Sequence, residues 1–147
     1  MKPAPMKMRD KLILRVVSKV FIPFMFLFGL YVQFHGDFGP GGGFQAGVVF
    51  AAGFILYGLI FGLETLREAI PPLVVERLLA LGLLLYGFTG VASLFLGANF
   101  LDYDAFSPEH PMHGQHIGIL LVEFGVGLTV TAAMTLIFYG LAGRATR

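Results

Sequence analysis

Glu123 is the side chain with the clearest chemical potential, because it is a carboxylate inside the apolar run LLVEFGVGLTVT. A charged group in membrane hydrocarbon costs about 2.5–3.5 kcal/mol on insertion scales, so it faces a partner or water, or it binds a proton. Glu123 is therefore a candidate carrier of protons or cations. Gly127 and Thr131 follow one and two turns later and could extend a polar strip along the same helix face. The alternative is a structural carboxylate that bonds a neighbouring helix.

Lys19 is a second candidate, one helical turn after Arg15 at the start of an apolar run. Long basic side chains at such positions usually extend toward the headgroups, and this is the favoured interpretation. The other interpretation is a buried lysine in a proton path. Pro23 stands four residues later and frees a backbone carbonyl in either case, because proline has no N–H.

A polar segment, LDYDAFSPEHPMHGQH, spans residues 101–116 and contains three histidines spaced by three: His110, His113 and His116. Imidazoles can bind zinc. Pro111 and Gly114 interrupt the spacing, however, so we expect no regular helix to align the histidines and no metal site. The segment instead suggests the entrance of an ion pathway, where its charge would attract cations, or a polar contact with a partner.

Several classes of function are excluded or disfavoured. The chain has no cysteine, so it has no disulfide, no thiolate ligand and no thiol nucleophile. No pairing of a nucleophile with a base is apparent, and GPGGGF lacks the Lys-Ser/Thr of a phosphate-binding loop. We therefore expect no enzymatic activity, no cofactor and no nucleic-acid partner.

The composition indicates which elements must position these residues. Hydrophobic residues make up 56% of the 147 and charged residues 13%, whereas soluble domains carry about 25% charged residues. Four apolar segments reach the roughly 20 residues that span a bilayer. We predict an all-α fold, an integral membrane four-helix bundle that forms one domain over residues 1–147, with helices at about 12–34, 44–64, 76–100 and 116–140.

Basic residues indicate how the bundle lies in the membrane. All ten lysines and arginines fall in residues 1–19, in the link at 64–77 or at the C-terminal end, and the links at 35–43 and 101–115 have none. Positive charge favours the cytoplasmic side. We therefore predict a multi-pass protein of the cell (inner) membrane with both termini cytoplasmic.

Glycines recur at helical spacing in the apolar segments, as at Gly43 and Gly47, or at Gly82 and Gly90. Small residues let helix backbones approach closely in membranes. The pattern predicts close helix contacts, either within this chain or with another.

The first outer link, HGDFGPGGGFQAG, has more glycine than a simple connection requires. Pro40 fixes its own φ, and Gly41 and Gly42 allow positive φ and a sharp reversal. Gly43 and Phe44 open the second helix, whose free N–H groups Asp37 could contact. We predict a compact turn, beginning near His35, that lies against the bundle.

This stretch resembles the signature of the B subunit (MrpB, also called MnhB) of Mrp-type multisubunit cation/proton antiporters. The family carries Pro-Gly-Gly-Gly-Phe in the first outer link, here Pro40 to Phe44, and LVEFGVGLTV is similar to its last helix. Two departures are visible: His35-Gly36 reverses the family's usual Gly-His order, and in Gln45-Ala46-Gly47 one glycine of the usual Gly-Gly pair is replaced.

The resemblance implies a subunit that assembles with other membrane subunits, including large proton-pumping ones. The whole complex would exchange cytoplasmic Na⁺, or another monovalent cation, for external H⁺. Ion-pathway candidates are then Glu123, Asp37, Lys19 and Thr131. A membrane-arm subunit of a redox-driven complex, such as a membrane-bound hydrogenase, is the alternative.

Overall fold

A computed structural model describes residues 11–36 and 39–145 of the chain. Within this part the fold is helical, as the sequence predicts. Five α-helices follow one another, with a short 3₁₀ helix, Tyr103–Phe106, between the last two. They are α1 (Leu12–His35), α2 (Gly43–Phe61), α3 (Leu63–Ala69), α4 (Pro72–Phe95) and α5 (Pro111–Ala145).

Four of the described helices, α1, α2, α4 and α5, are long and apolar enough to cross a membrane, which confirms the predicted number of spans. The short helix α3 joins α2 to α4 and carries Glu64 and Arg67. At 1.5 Å per residue, the 35 residues of α5 extend about 52 Å, more than the roughly 30 Å of a hydrocarbon core. Which side of the membrane holds the termini stays a prediction.

The helix ends differ from the predicted ones most clearly in α4 and α5. α5 begins at Pro111, not at 116, because proline is well suited to the first helical position. His113 and His116 therefore lie in a regular helix, and the expectation that Pro111 prevents this was wrong. α4 begins at Pro72 and ends at Phe95, where Gly97 follows with a φ of 83° that stops the helix. α3 was not predicted.

α5 is the central helix, packed between α2 and α4, and α1 packs mainly on α2. Glycines make these contacts close. A Cβ added at Gly82 of α4 would lie 2.7 Å from the Gly125 carbonyl oxygen of α5, and one at Gly47 of α2 would lie 2.7 Å from that of Gly127. The predicted close contacts are thus made within this chain.

Near α3 a small core forms from Leu66, Val75, Ala132 and Tyr139, all buried. The Tyr139 hydroxyl donates a 2.7 Å hydrogen bond to the Ile70 carbonyl oxygen, just after α3 ends. This hydrogen bond holds the link between α3 and α4 against α5.

Candidate functional site

The turn between α1 and α2 folds back onto the end of α1. The Gly42 N–H donates to the Val32 carbonyl oxygen at 3.0 Å, and the Gly39 N–H donates to that of His35 at 3.2 Å. α2 then begins with the Ala46 N–H bound to the Gly42 carbonyl oxygen at 3.1 Å. The described part of the turn is therefore compact, as predicted.

Individual glycines of the turn are needed for different reasons. Gly42 has a φ of 105°, which side-chain-bearing residues rarely adopt. Gly41 does not adopt the positive φ that glycine allows. Glycine is needed at position 41 because there is no room for a side chain. A Cβ added there would lie 2.8 Å from the Val32 carbonyl oxygen. Pro40 and Phe44 are exposed, Phe44 by 63%.

Glu123 of α5 lies directly against this turn. A Cβ added at Gly36 would collide with the Glu123 carboxyl group, and one at Gly42 would lie 2.7 Å from Glu123 Oε1. A Cβ at Gly43 would collide with the backbone carbonyl of Glu123. The turn glycines thus form a surface shaped to one carboxylate, which is half-buried.

Thr131 lies on the same face of α5, two turns after Glu123. Its hydroxyl oxygen is 2.7 Å from the Gly127 carbonyl oxygen and 3.2 Å from that of Gly47 on α2. α2 therefore covers the polar strip that begins at Glu123, and Thr131 takes part in the contact between α2 and α5.

Gln33 is a site residue that the sequence reasoning missed. Its side chain is only 4% exposed, and Nε2 has no hydrogen-bond partner. Its Oε1 would lie 2.7 Å from a Cβ added at Gly127, one turn from Glu123 on α5. The available signal was its spacing from Gly36, since residues three apart share a helix face.

The remaining candidates are distributed over the molecule. The His35 ring stacks on Tyr31 with centroids 5.0 Å apart, beside Gly39 of the turn. Asp37 lies outside the described residues. Lys19 is exposed on the surface of this chain. It precedes His35 by 16 residues, about 24 Å along α1, so the structure does not bring it to Glu123.

The histidine-containing segment packs on the start of α5. Gln115 Nε2 donates to Asp104 Oδ1 at 2.8 Å, and the His110 and His113 rings lie 5.4 Å apart. Burial raises the pKa of the Tyr103 phenol above its ordinary value, and Tyr86 raises it further. In the described part of the chain, no three histidine or carboxylate side chains converge as metal ligands.

Known proteins are similar to this sequence over most of its length. Residues 13–136 match the family described as "Domain related to MnhB subunit of Na+/H+ antiporter". A protein of Staphylococcus haemolyticus (strain JCSC1435), "Putative antiporter subunit mnhB2", is 34% identical over 140 residues, which cover 94% of this chain and 98% of the relative. The protein of the same name from Staphylococcus aureus (strain Newman) has the same identity and coverage. The chain belongs to the MnhB family.

Proposed function

We propose that this chain is a multi-pass cell membrane subunit of a multisubunit antiporter that exchanges Na⁺, or another monovalent cation, for H⁺. Membership in the MnhB family and the names of its relatives support this assignment. Its partners are the other subunits of that complex and the lipid bilayer. The proposal gives the chain no reaction to catalyse. A redox-driven complex is disfavoured, because the family description and the relatives' names refer to an antiporter.

The observation that carries a specific role is the contact between Glu123 and the glycine turn. Glu123 sits in a helix long and apolar enough to span a membrane, and Gly36, Gly42 and Gly43 fit closely around it. The beginning of α2 lies at this point, and the N-terminus of a helix stabilises nearby negative charge. The fold thus offers a place where a carboxylate can remain inside the bundle.

We assign to Glu123 the exchange of a proton or cation at the end of the bundle that holds the turn. Gln33 and Thr131 mark the polar side chains that continue from it between α1, α2 and α5. The close fit of α2 on α5 closes this strip within the chain. Any longer ion path therefore continues through surfaces shared with other subunits.

A charge-removing substitution tests this role. In everted vesicles that contain the assembled complex, Glu123→Gln should abolish Na⁺-induced proton efflux or shift its pH dependence, while Glu123→Asp should retain part of it. The matched control is Glu68→Gln, which removes an exposed carboxylate from α3. Co-purification of the other subunits must be intact in each variant. If Glu123→Gln assembles and transports like the wild type at every pH, Glu123 has no ion-carrying role.

A second substitution tests the enclosure separately. Gly42→Val places a branched side chain at a φ of 105° and against Glu123 Oε1, so we expect normal membrane insertion and weakened antiport. Gly140→Ala is the control, because a Cβ there meets nothing within 4 Å. Full antiport in Gly42→Val would reduce the turn to a connection.

A further inference from the structure

A groove of about 370 Å³ lies between α1, α2 and α3, at the opposite end of α1 from the glycine turn. Its walls are mainly apolar and include four aromatic side chains, Phe26, Phe54, Tyr57 and Phe61. The volume falls within the range of about 300–1,000 Å³ that is usual for small-ligand sites. The proposed antiporter role of Glu123 does not use this groove.

The groove has a closed end and a charged end. The Phe26 and Phe54 rings, with centroids 5.0 Å apart, close it toward the middle of the bundle. Lys19 lies seven residues before Phe26, about 10 Å away along α1. Its Nζ stands 6.0 Å from the centroid of the Phe61 ring, at the last residue of α2. Lys19 therefore holds its ammonium group where a spanning helix ends.

Charge at that end of the groove is positive. Among the described residues that line the groove, Lys19 alone is charged, and exposed Arg15 lies one turn earlier on the same face of α1. The α3 carboxylates do not offset them. Glu64 is paired with Arg67 at 3.0 Å, and Glu68 is exposed and does not line the groove.

The dimensions indicate the kind of occupant. A helix with side chains is about 10–12 Å across, too wide to enter a narrow groove of this volume between three helices. A hydrocarbon chain fits such a space, and in a membrane it is the apolar group at hand. Basic pockets between spanning helices bind anionic lipid headgroups. We propose that the groove binds one anionic phospholipid, with an acyl chain among α1, α2 and α3 and the phosphate at Lys19.

Native mass spectrometry of the full chain tests the proposal. The chain is released from vesicles that contain phosphatidylglycerol and phosphatidylcholine in equal amounts. The wild type should retain phosphatidylglycerol preferentially. Lys19→Gln should lower that preference by about fivefold, the factor for one lysine near a membrane surface, and Lys19→Arg should preserve it. Arg77→Gln, an exposed charge removed from the start of α4, should have no effect. Equal losses in Lys19→Gln and Arg77→Gln, or no preference in the wild type, would overturn the proposal.

Two further measurements examine the acyl chain. Ala69→Phe places a ring on the α3 wall of the groove and should reduce retention of both lipids, whereas wild-type retention of both would contradict the proposed location. A photoreactive phenylalanine at Phe54, activated in native membranes, should form adducts of lipid mass. Adducts to another polypeptide would show that a protein fills the groove. Neither measurement depends on antiport, so the proposal can fail while the proposed function stands.

Discussion

Replacing Gly82 by alanine should weaken the packing of α4 on α5, and the same change at Gly87 should not. A Cβ at Gly82 would lie 2.7 Å from both the Gly125 carbonyl oxygen and the Thr129 backbone nitrogen, whereas one at Gly87 meets nothing within 4 Å. Both glycines lie inside α4, so the gain in helix propensity, about 1 kcal/mol, is the same for each.

The magnitude follows from the difference between the two sites. Overpacking of a close contact costs about 1–3 kcal/mol. Gly82→Ala also crowds the Thr129 hydroxyl, which donates a 2.7 Å hydrogen bond to the Gly125 carbonyl oxygen. Gly87→Ala should therefore raise the free energy of unfolding by up to about 1 kcal/mol. The free energy of unfolding of Gly82→Ala should be lower than that of Gly87→Ala by about 1–3 kcal/mol.

The free energies of unfolding of both variants can be measured on the purified chain in mixed micelles. Sodium dodecyl sulfate unfolds the chain, and circular dichroism follows the transition. Because the two variants share a helix and a substitution, propensity cancels in their difference. Equal stabilisation in both would refute the reasoning, since it would mean that α4 and α5 do not approach at Gly82 as closely as the structure shows.

Three other predictions follow from single contacts. Tyr139→Phe should lower the free energy of unfolding by about 1 kcal/mol through loss of the hydrogen bond to the Ile70 carbonyl oxygen. In the same titration with sodium dodecyl sulfate, Tyr31→Phe at an exposed position is the control, and an equal loss there would contradict a stabilising role of this hydrogen bond. Burial and Tyr86 raise the pKa of Tyr103, so the contribution of this group to the free energy of unfolding is present below pH 10 and is lost as pH rises through the raised pKa. In an ultraviolet titration, Tyr103→Phe should remove a late-ionising component, and an unchanged titration curve would refute this. In a chain without native cysteine, Glu109→Cys should react with an impermeant thiol reagent from outside and Glu68→Cys only from the cytoplasm, and the reverse result would invert the predicted topology.

The spans could be predicted from sequence because their signal is additive over some twenty residues. Hydropathy does not depend on which helices touch, so Leu12–His35 and Gly43–Phe61 were foreseen within a few residues. The early start of α5 was missed because Pro111 was treated as an interruption, although the first helical position needs no N–H. The helix α3 was missed because seven residues before Pro71-Pro72 carry too little periodic pattern to distinguish a helix from a turn.

The site could be predicted only in part, because its members come from distant parts of the chain. The glycine turn and Glu123 each stood out alone, one by composition and the other by its charge in an apolar run. That they touch depends on the antiparallel pairing of α1 and α5 with α2 between them, which no local pattern encodes. Gln33 shows the same limit: an amide near a helix end looks exposed until the helices are packed and leave it 4% exposed.

The buried Gln33 amide also bears on how the turn and the carboxylate depend on each other. A buried donor without a partner costs about 1–3 kcal/mol, and Gln33 Nε2 is such a donor. Along α1, Gln33 and Gly36 share a face; along α5, Gly127 and Glu123 share one, and the two pairs meet. The close contact of α2 with α5 therefore holds both the unpartnered amide and the carboxylate inside the bundle. A substitution that loosens this contact would hydrate both groups together, so under the role proposed for Glu123 we expect a disturbed turn to weaken antiport as well.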